Sequence, residues 1–350
     1  MDTTILDIFN QHDAFTAIAL TEAIEKVPYQ PHMLGQLNIF EDNPIRTTAV
    51  SVEERQGQLK LIGFSERGTA GTQRTTELRK RRYFDVPRLF HEDTVYSNEL
   101  QNIVEFGNTT VLMQLQQEVM RRLAGPTGLL ANVEYTREYL RLAAIQGMVL
   151  DPKSGNPLYN WYDEFQIVQA PEVGFNLAAA AANTLRPLIN AITRSMARAA
   201  QGAWVDNVSQ MYAICGDAFY DAFTNHPDVI RTYVNWSDAR DIRNGSQGGA
   251  FKAFEFADVV WLNYRGSDDN TTIKIPDDKV KFFPVGAPGV FREAMAPGES
   301  MEWVNQPGKK EYVLPIPDLL RRQYWGMEVY AYPLFLCTRP GMLQSGRSEA

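Results

Sequence analysis

The sequence predicts an α+β molecule with a projecting β-hairpin, on three observations. Helical runs fill residues 108–147 and 177–202, strand-like stretches lie on either side of them, and a basic stretch near residue 70 has too few apolar residues to build its own core.

Bulk properties set the frame. A chain of 350 residues can hold two or three domain-sized pieces and bury substantial cores. A composition of 44% hydrophobic and 22% charged residues is that of a folded, water-soluble protein. No run reaches the roughly 18 apolar residues that span a bilayer, so no membrane partner is expected. The first twenty residues carry no Lys or Arg, unlike the basic start of a signal peptide, and point to folding in a cytoplasm or in something assembled there. Cys215 and Cys337 fit no metal-type spacing and are expected to be reduced and buried. The net charge of −8 argues against non-specific binding of DNA by the protein as a whole.

The charge is uneven. Between Ser51 and His91 stand nine basic and five acidic residues, a surplus of four, which leaves −12 for the rest of the chain. A basic arm on an acidic body predicts attraction between neighbouring copies. Within the arm, residues 48–55 and 58–64 read as strands around Gly57, a glycine-containing tip follows at 67–72, and Arg79-Lys80-Arg81-Arg82 begins a returning strand. An isolated hairpin is marginal in water, so this one is expected to lie on a second chain.

The helical block comes next. A run from Asn108 stops at Gly125-Pro126, and a second helix runs from Leu129 to Gly147, with Leu130, Val133, Leu140, Ala143 and Ala144 on one face. A hairpin follows over Met148–Tyr162 with its turn at 151–156. The alanine-rich stretch 177–202 is helical with a break or restart at Pro187. Residues 204–225 read as loop, strand and helix, and 228–239 as helix. Residues 255–264 alternate like one strand, short strands broken by Pro284, Pro288, Pro297 and Pro307 come after it, and 327–337 form the last strand.

Motifs for catalysis are missing. His12, His32, His91 and His226 have no ligand spacing, and neither a phosphate-binding loop nor a serine elbow occurs. Asp268-Asp269-Asn270 lacks the rest of a calcium loop. The tetrad at 79–82 looks like a nucleic-acid patch, but an alternating strand whose charges meet acidic neighbours or solvent fits an acidic protein better. No enzyme activity, cofactor or metal is expected, and Trp161 and Tyr162 are expected to pack rather than cage a ligand.

Three stretches together resemble the major capsid protein E family of lambda-like phages. The first is Val52-Glu-Glu-Arg-Gln-Gly-Gln-Leu-Lys-Leu, continued by Arg67-Gly-Thr-Ala-Gly and Tyr83-Phe-Asp-Val-Pro-Arg-Leu. The second begins Thr136-Arg-Glu-Tyr-Leu-Arg-Leu, and the third runs from Phe282-Phe-Pro-Val-Gly-Ala-Pro-Gly through Val304-Asn-Gln-Pro-Gly to Tyr332-Pro-Leu-Phe-Leu-Cys. The resemblance implies an HK97-like capsid fold: an amino-terminal arm over 1–46, an extended loop over 47–91, a peripheral domain with a long spine helix over 92–200, an axial domain over 201–322, and a last strand over 323–350 that returns to the peripheral domain. It implies a shell protein of the virion that self-assembles into pentamers and hexamers around double-stranded DNA without reading its sequence. Its other partners would be a separate scaffolding protein, a portal and a decoration protein. Arg67, Gly68, Gly71, Arg79, Lys80, Arg81 and Arg82 are the expected assembly contacts: glycines let backbone pass close, and arginines fork onto carboxylates. Cargo binding would instead mark a cellular compartment of the same fold, and a monomer with a deep polar pocket would mark a soluble enzyme.

Overall fold

The computed structural model describes residues 29–56, 78–101, 111–179, 183–234, 253–269 and 271–349. A short helix, α1 (Met33–Gln36), and strand β1 (Glu41–Pro44) precede the hairpin strands β2 (Ala49–Gln56) and β3 (Leu78–Asp85). Gly57, the expected strand over 58–64 and the expected tip at 67–72, with Arg67, Gly68 and Gly71, lie outside the described residues. Strand β4 (Leu89–Tyr96) leads to helices α2 (Ser97–Gln101), α3 (Val111–Ala124) and α4 (Leu129–Ile145). Helix α3 stops at Gly125-Pro126 as the sequence predicts. Helix α4 is apolar on one stripe at first, but Leu140 and all of residues 141–145 are buried, so its second half sits inside the protein. Gly147 ends it with φ +84°, and a Cβ there would stand 2.4 Å from the Tyr162 ring.

The hairpin after the long helix is β5 (Met148–Leu150) and β6 (Pro157–Asn160). Trp161 and Tyr162 do not extend it, contrary to the sequence expectation. They open helix α5 (Trp161–Phe165), because the Asn160 side chain accepts a hydrogen bond from the Tyr162 N–H at 3.1 Å and caps that helix. After β7 (Val173–Gly174), helix α6 (Leu185–Ala199) carries Pro187 in its first turn, where the missing N–H matters least. Strand β8 (Gln210–Cys215) and helices α7 (Asp217–Thr224) and α8 (Pro227–Val234) follow.

Two further readings change. The stretch expected as one strand over 255–264 is a hairpin, β9 (Ala253–Phe256) and β10 (Val259–Asn263), turned at Ala257 and Asp258 with φ of +54° and +60°. That backbone suits a tight hairpin and ordinarily announces itself with Asn or Gly, which this turn lacks. Strand β11 (Lys279–Val285) runs through Pro284, whose position lies beyond the end of its pairing with β16 (Gln344–Arg347), so one side of the strand is free there. The last expected strand is two: β14 (Tyr324–Ala331) and β15 (Pro333–Cys337), preceded by β12 (Phe291–Met295) and β13 (Tyr312–Pro317).

Among the described residues the strands form a six-stranded sheet ordered β7-β16-β11-β8-β10-β9, two three-stranded sheets, β1-β12-β15 and β13-β14-β4, and the hairpins β2-β3 and β5-β6. One large core joins Leu34, Phe84, Leu140, Trp261, Phe282 and Phe335. A smaller one, around Val95, Leu115, Val133 and Val329, lies between helices α3 and α4 and the sheet β13-β14-β4. Both cysteines are free and buried.

Candidate assembly interface

The base of the hairpin sorts the basic tetrad by strand alternation. Val50 faces Phe84 in the β2–β3 ladder, and both are buried. Residues two and four positions along the same face are Val52 and Glu54 on β2 and Arg82 and Lys80 on β3. Arg82 accordingly turns to the body: it pairs with Glu54, lies 5.0 Å over the Phe165 ring, and leaves 10% of its side chain exposed. Lys80 donates to the Gln166 side chain at 3.1 Å. Arg79 and Arg81 fall on the opposite face, 64% and 59% exposed, where both reach Glu53 at 3.8 and 3.6 Å. Tyr83 stands beside them, two-thirds exposed.

An aromatic box fixes this base to the body. Phe84 meets Tyr159 and Trp161 edge-on at 5.5 and 5.1 Å, and Tyr159 stacks on Trp161. The Tyr159 hydroxyl accepts from the Asp85 N–H at 3.0 Å and donates to the Asp85 carbonyl at 3.2 Å. The root is therefore held by its own chain, and Arg79, Arg81 and Tyr83 point outward from it.

A second feature has no counterpart in the sequence expectations. Helix α4 buries Arg137, Glu138 and Arg141 among its apolar residues. Arg137 pairs with buried Glu293 of β12 and donates to the Lys310 carbonyl at 3.0 Å. Glu138 accepts the N–H groups of Leu34 and Gly35 at 2.7 and 3.1 Å, so the turn of α1 is tied to the long helix. Arg141 bridges Glu134 at 2.6 Å and Glu138 at 3.3 Å. Burial pushes the Glu138 carboxyl up, against those N–H groups and Arg141, and it also pushes up that of Glu293. The spacing of Arg137, Glu138 and Arg141 carries no local signal of burial, because the partners come from β12 and α1, far away in the chain.

The remaining polar candidates are locally satisfied. Asp269 accepts from the hydroxyls of Ser267, Thr271 and Thr272, which hold its carboxyl well below the usual range. His226 accepts from the Asp228 N–H at 3.2 Å. His91 and Asn132 line an open cavity of about 430 Å³ with Leu89, Phe90, Val133 and Thr136. Among the described residues no group of three His, Cys, Asp or Glu side chains could hold a metal ion, and no helix is long and apolar enough to cross a membrane.

The family model for phage major capsid protein E matches residues 16–348. No curated protein matches the chain. Among solved structures, the capsid of the cyanophage P-SCSP1u is similar with a TM-score of 0.51 and 11% identity, over 96% of this chain and 92% of that one. A prophage capsid protein from E. coli CFT073 gives 0.51 and 10% over 92% and 94%. The capsid of an empty GTA particle gives 0.51 and 10% over 97% and 98%. At these identities the likeness is one of fold, and that fold is the α+β arrangement of phage capsid proteins.

Proposed function

Because the chain belongs to the phage major capsid protein E family, its place is in the shell of a virion, and we propose that copies close into pentamers and hexamers of an icosahedral head around double-stranded DNA. Self-association is its function, and it needs no cofactor. The observation that carries the finer reading is the split of the tetrad. Arg82 and Lys80 serve the root, which leaves Arg79 and Arg81 facing outward from the base of the hairpin. An outward guanidinium pair on an acidic protein suits the carboxylates of an adjacent copy.

In this reading residues 1–46 are an arm, 47–91 the loop that reaches over a neighbour, 92–200 the peripheral part with α4 as its spine, 201–322 the axial part, and 323–350 the closing segment. Arg67, Gly68 and Gly71 would belong to the contacting tip. Heads would form in the host cytoplasm with a separate scaffolding protein and a portal, and a decoration protein would bind outside. Each copy touches several neighbours, so weak contacts sum to a stable shell.

Negative-stain microscopy of the protein, alone and co-expressed with the genes adjacent to its own, tests the proposal. Closed shells or rings of five and six are expected. Arg79→Glu with Arg81→Glu should leave a folded chain, by circular dichroism, and no shells; normal particles from that variant would remove the outward pair from the interface.

A further inference from the structure

The sheet β13-β14-β4 covers helices α3 and α4 with one face, through Val95, Trp325, Met327 and Val329. Its opposite face is open toward one end. There Tyr96 and Tyr324 are paired across the strands, their rings 6.1 Å apart and each more than 40% exposed. Further along, Glu92 and Glu328 stand directly opposite each other. Like charges in that position destabilise a ladder. Among the described residues no cation of the chain pairs with either carboxylate, although the Glu328 side chain accepts the Tyr330 hydroxyl at 2.5 Å. Beyond the acids, the ring pair Phe90 and Tyr330 carries a guanidinium: Arg88 lies 4.7 and 5.1 Å over those rings and pairs with Glu299 at 2.9 Å. The face thus already receives one arginine at its far end. The Tyr96–Tyr324 end receives none from the described chain.

The turn between β13 and β14 carries the matching chemistry. The Asp318 carboxylate accepts the N–H groups of Leu320, Arg321 and Gln323 at 3.2, 3.0 and 3.2 Å, so the turn has a built shape. Yet Leu320 is 95% exposed and Leu319 63% exposed. Two leucines held in water by an ordered turn, followed at once by Arg321 and Arg322, make an apolar and basic knob. It cannot serve its own face: Asp318 fixes it at the sheet's end, and the acid pair begins four residues past Tyr324, about 13 Å along the strand.

We propose that this knob docks on the open sheet face of a second copy, with Leu319 and Leu320 on the neighbour's Tyr96–Tyr324 pair and Arg321 and Arg322 on its Glu92 and Glu328. The inference rests on self-assembly into a shell and names one contact that shell would use. The leucines lose water, the arginines answer a carboxylate pair with no cation partner among the described residues, and the contact places different patches of one chain together.

The test uses the full chain under shell-forming conditions. Arg321→Cys combined with Glu92→Cys, treated with a short bifunctional maleimide, should give covalent multimers in shells, while each single variant should not. Cys215 and Cys337 are buried and leave a low background. Separately, Glu92→Arg should cut shell yield about tenfold, the effect of one lost charge contact, and Arg321→Glu with Arg322→Glu in the same chain should restore it. A merely structural Glu92 behaves the opposite way, since Glu92→Arg relieves the repulsion from Glu328 and should leave the melting temperature the same or higher. Shells that form without cross-links, and at full yield with Glu92→Arg, would overturn the docking contact and leave the capsid reading intact. Failure of the unaltered chain to form any multimer would overturn both.

Discussion

Glu118 shows how much a single side chain can make of its neighbours. Its carboxylate takes two bonds from Arg121, at 2.9 and 2.7 Å, and one from Arg122 at 2.6 Å, which hold its pKa down to about 2 against the opposing effect of burial. A carboxyl depressed in the folded state stabilises fully above its unfolded value, and that stability drains away as pH falls through the folded one. The melting temperature should therefore decline between about pH 4.5 and about pH 2. Glu118→Gln should melt lower than the unaltered chain at pH 7 and show a shallower decline across that window. Equal slopes in a pH series of thermal melts would remove Glu118 from the acid response.

At the scale of the element, helix α4 is the least ordinary part of the protein. Arg137 is 1% exposed and its partner Glu293 is 3% exposed. Removing one member leaves a buried charge alone, so Arg137→Met should destabilise by about 3–5 kcal/mol, whereas Arg137→Met with Glu293→Met should recover most of the loss. Denaturant titration of the two variants decides it; equal losses would mean that the pair is not coupled. The helix itself was legible from the sequence, because Gly125-Pro126 and Gly147 bracket an apolar period. So were β2 and β3. The buried charges were not, since a local pattern assigns Arg and Glu to the solvent side, and only β12 and α1, more than ninety residues away, bring in Glu293 and the Leu34 and Gly35 N–H groups. The Ala257-Asp258 turn was missed for the related reason that its conformation is imposed by the paired strands on either side rather than by its own residues. For the tetrad, composition showed the charge, but alternation alone could not say which two of the four the body would take; that needed Phe165, Gln166 and Phe84 in place.

On the scale of the whole molecule, the parts are not independent. The large core runs from Leu34 through the hairpin base at Val50 and Phe84 and the end of α4 to Trp261 and Phe282 of the six-stranded sheet. The Tyr264 hydroxyl, just past β10, also lies 3.5 Å from Glu138 of the long helix. Parts that share one core lose it together, so differential scanning calorimetry of the unassembled chain should give a single transition with calorimetric and van't Hoff enthalpies in agreement. Two resolved peaks would show that the shared core does not couple the parts.

The order of the last strands bears on how the protein is made. Residues 324–347 supply β14 to one three-stranded sheet, β15 to the other and β16 to the six-stranded sheet. In the first two sheets β14 and β15 pair directly with strands that precede them in the chain, and in the third β16 separates β7 from β11. On a ribosome, none of the three can close until this short stretch has emerged. A chain released early lacks a strand in every one of them, so it has no finished face to offer a growing lattice, and translation itself screens the subunits before any shell begins.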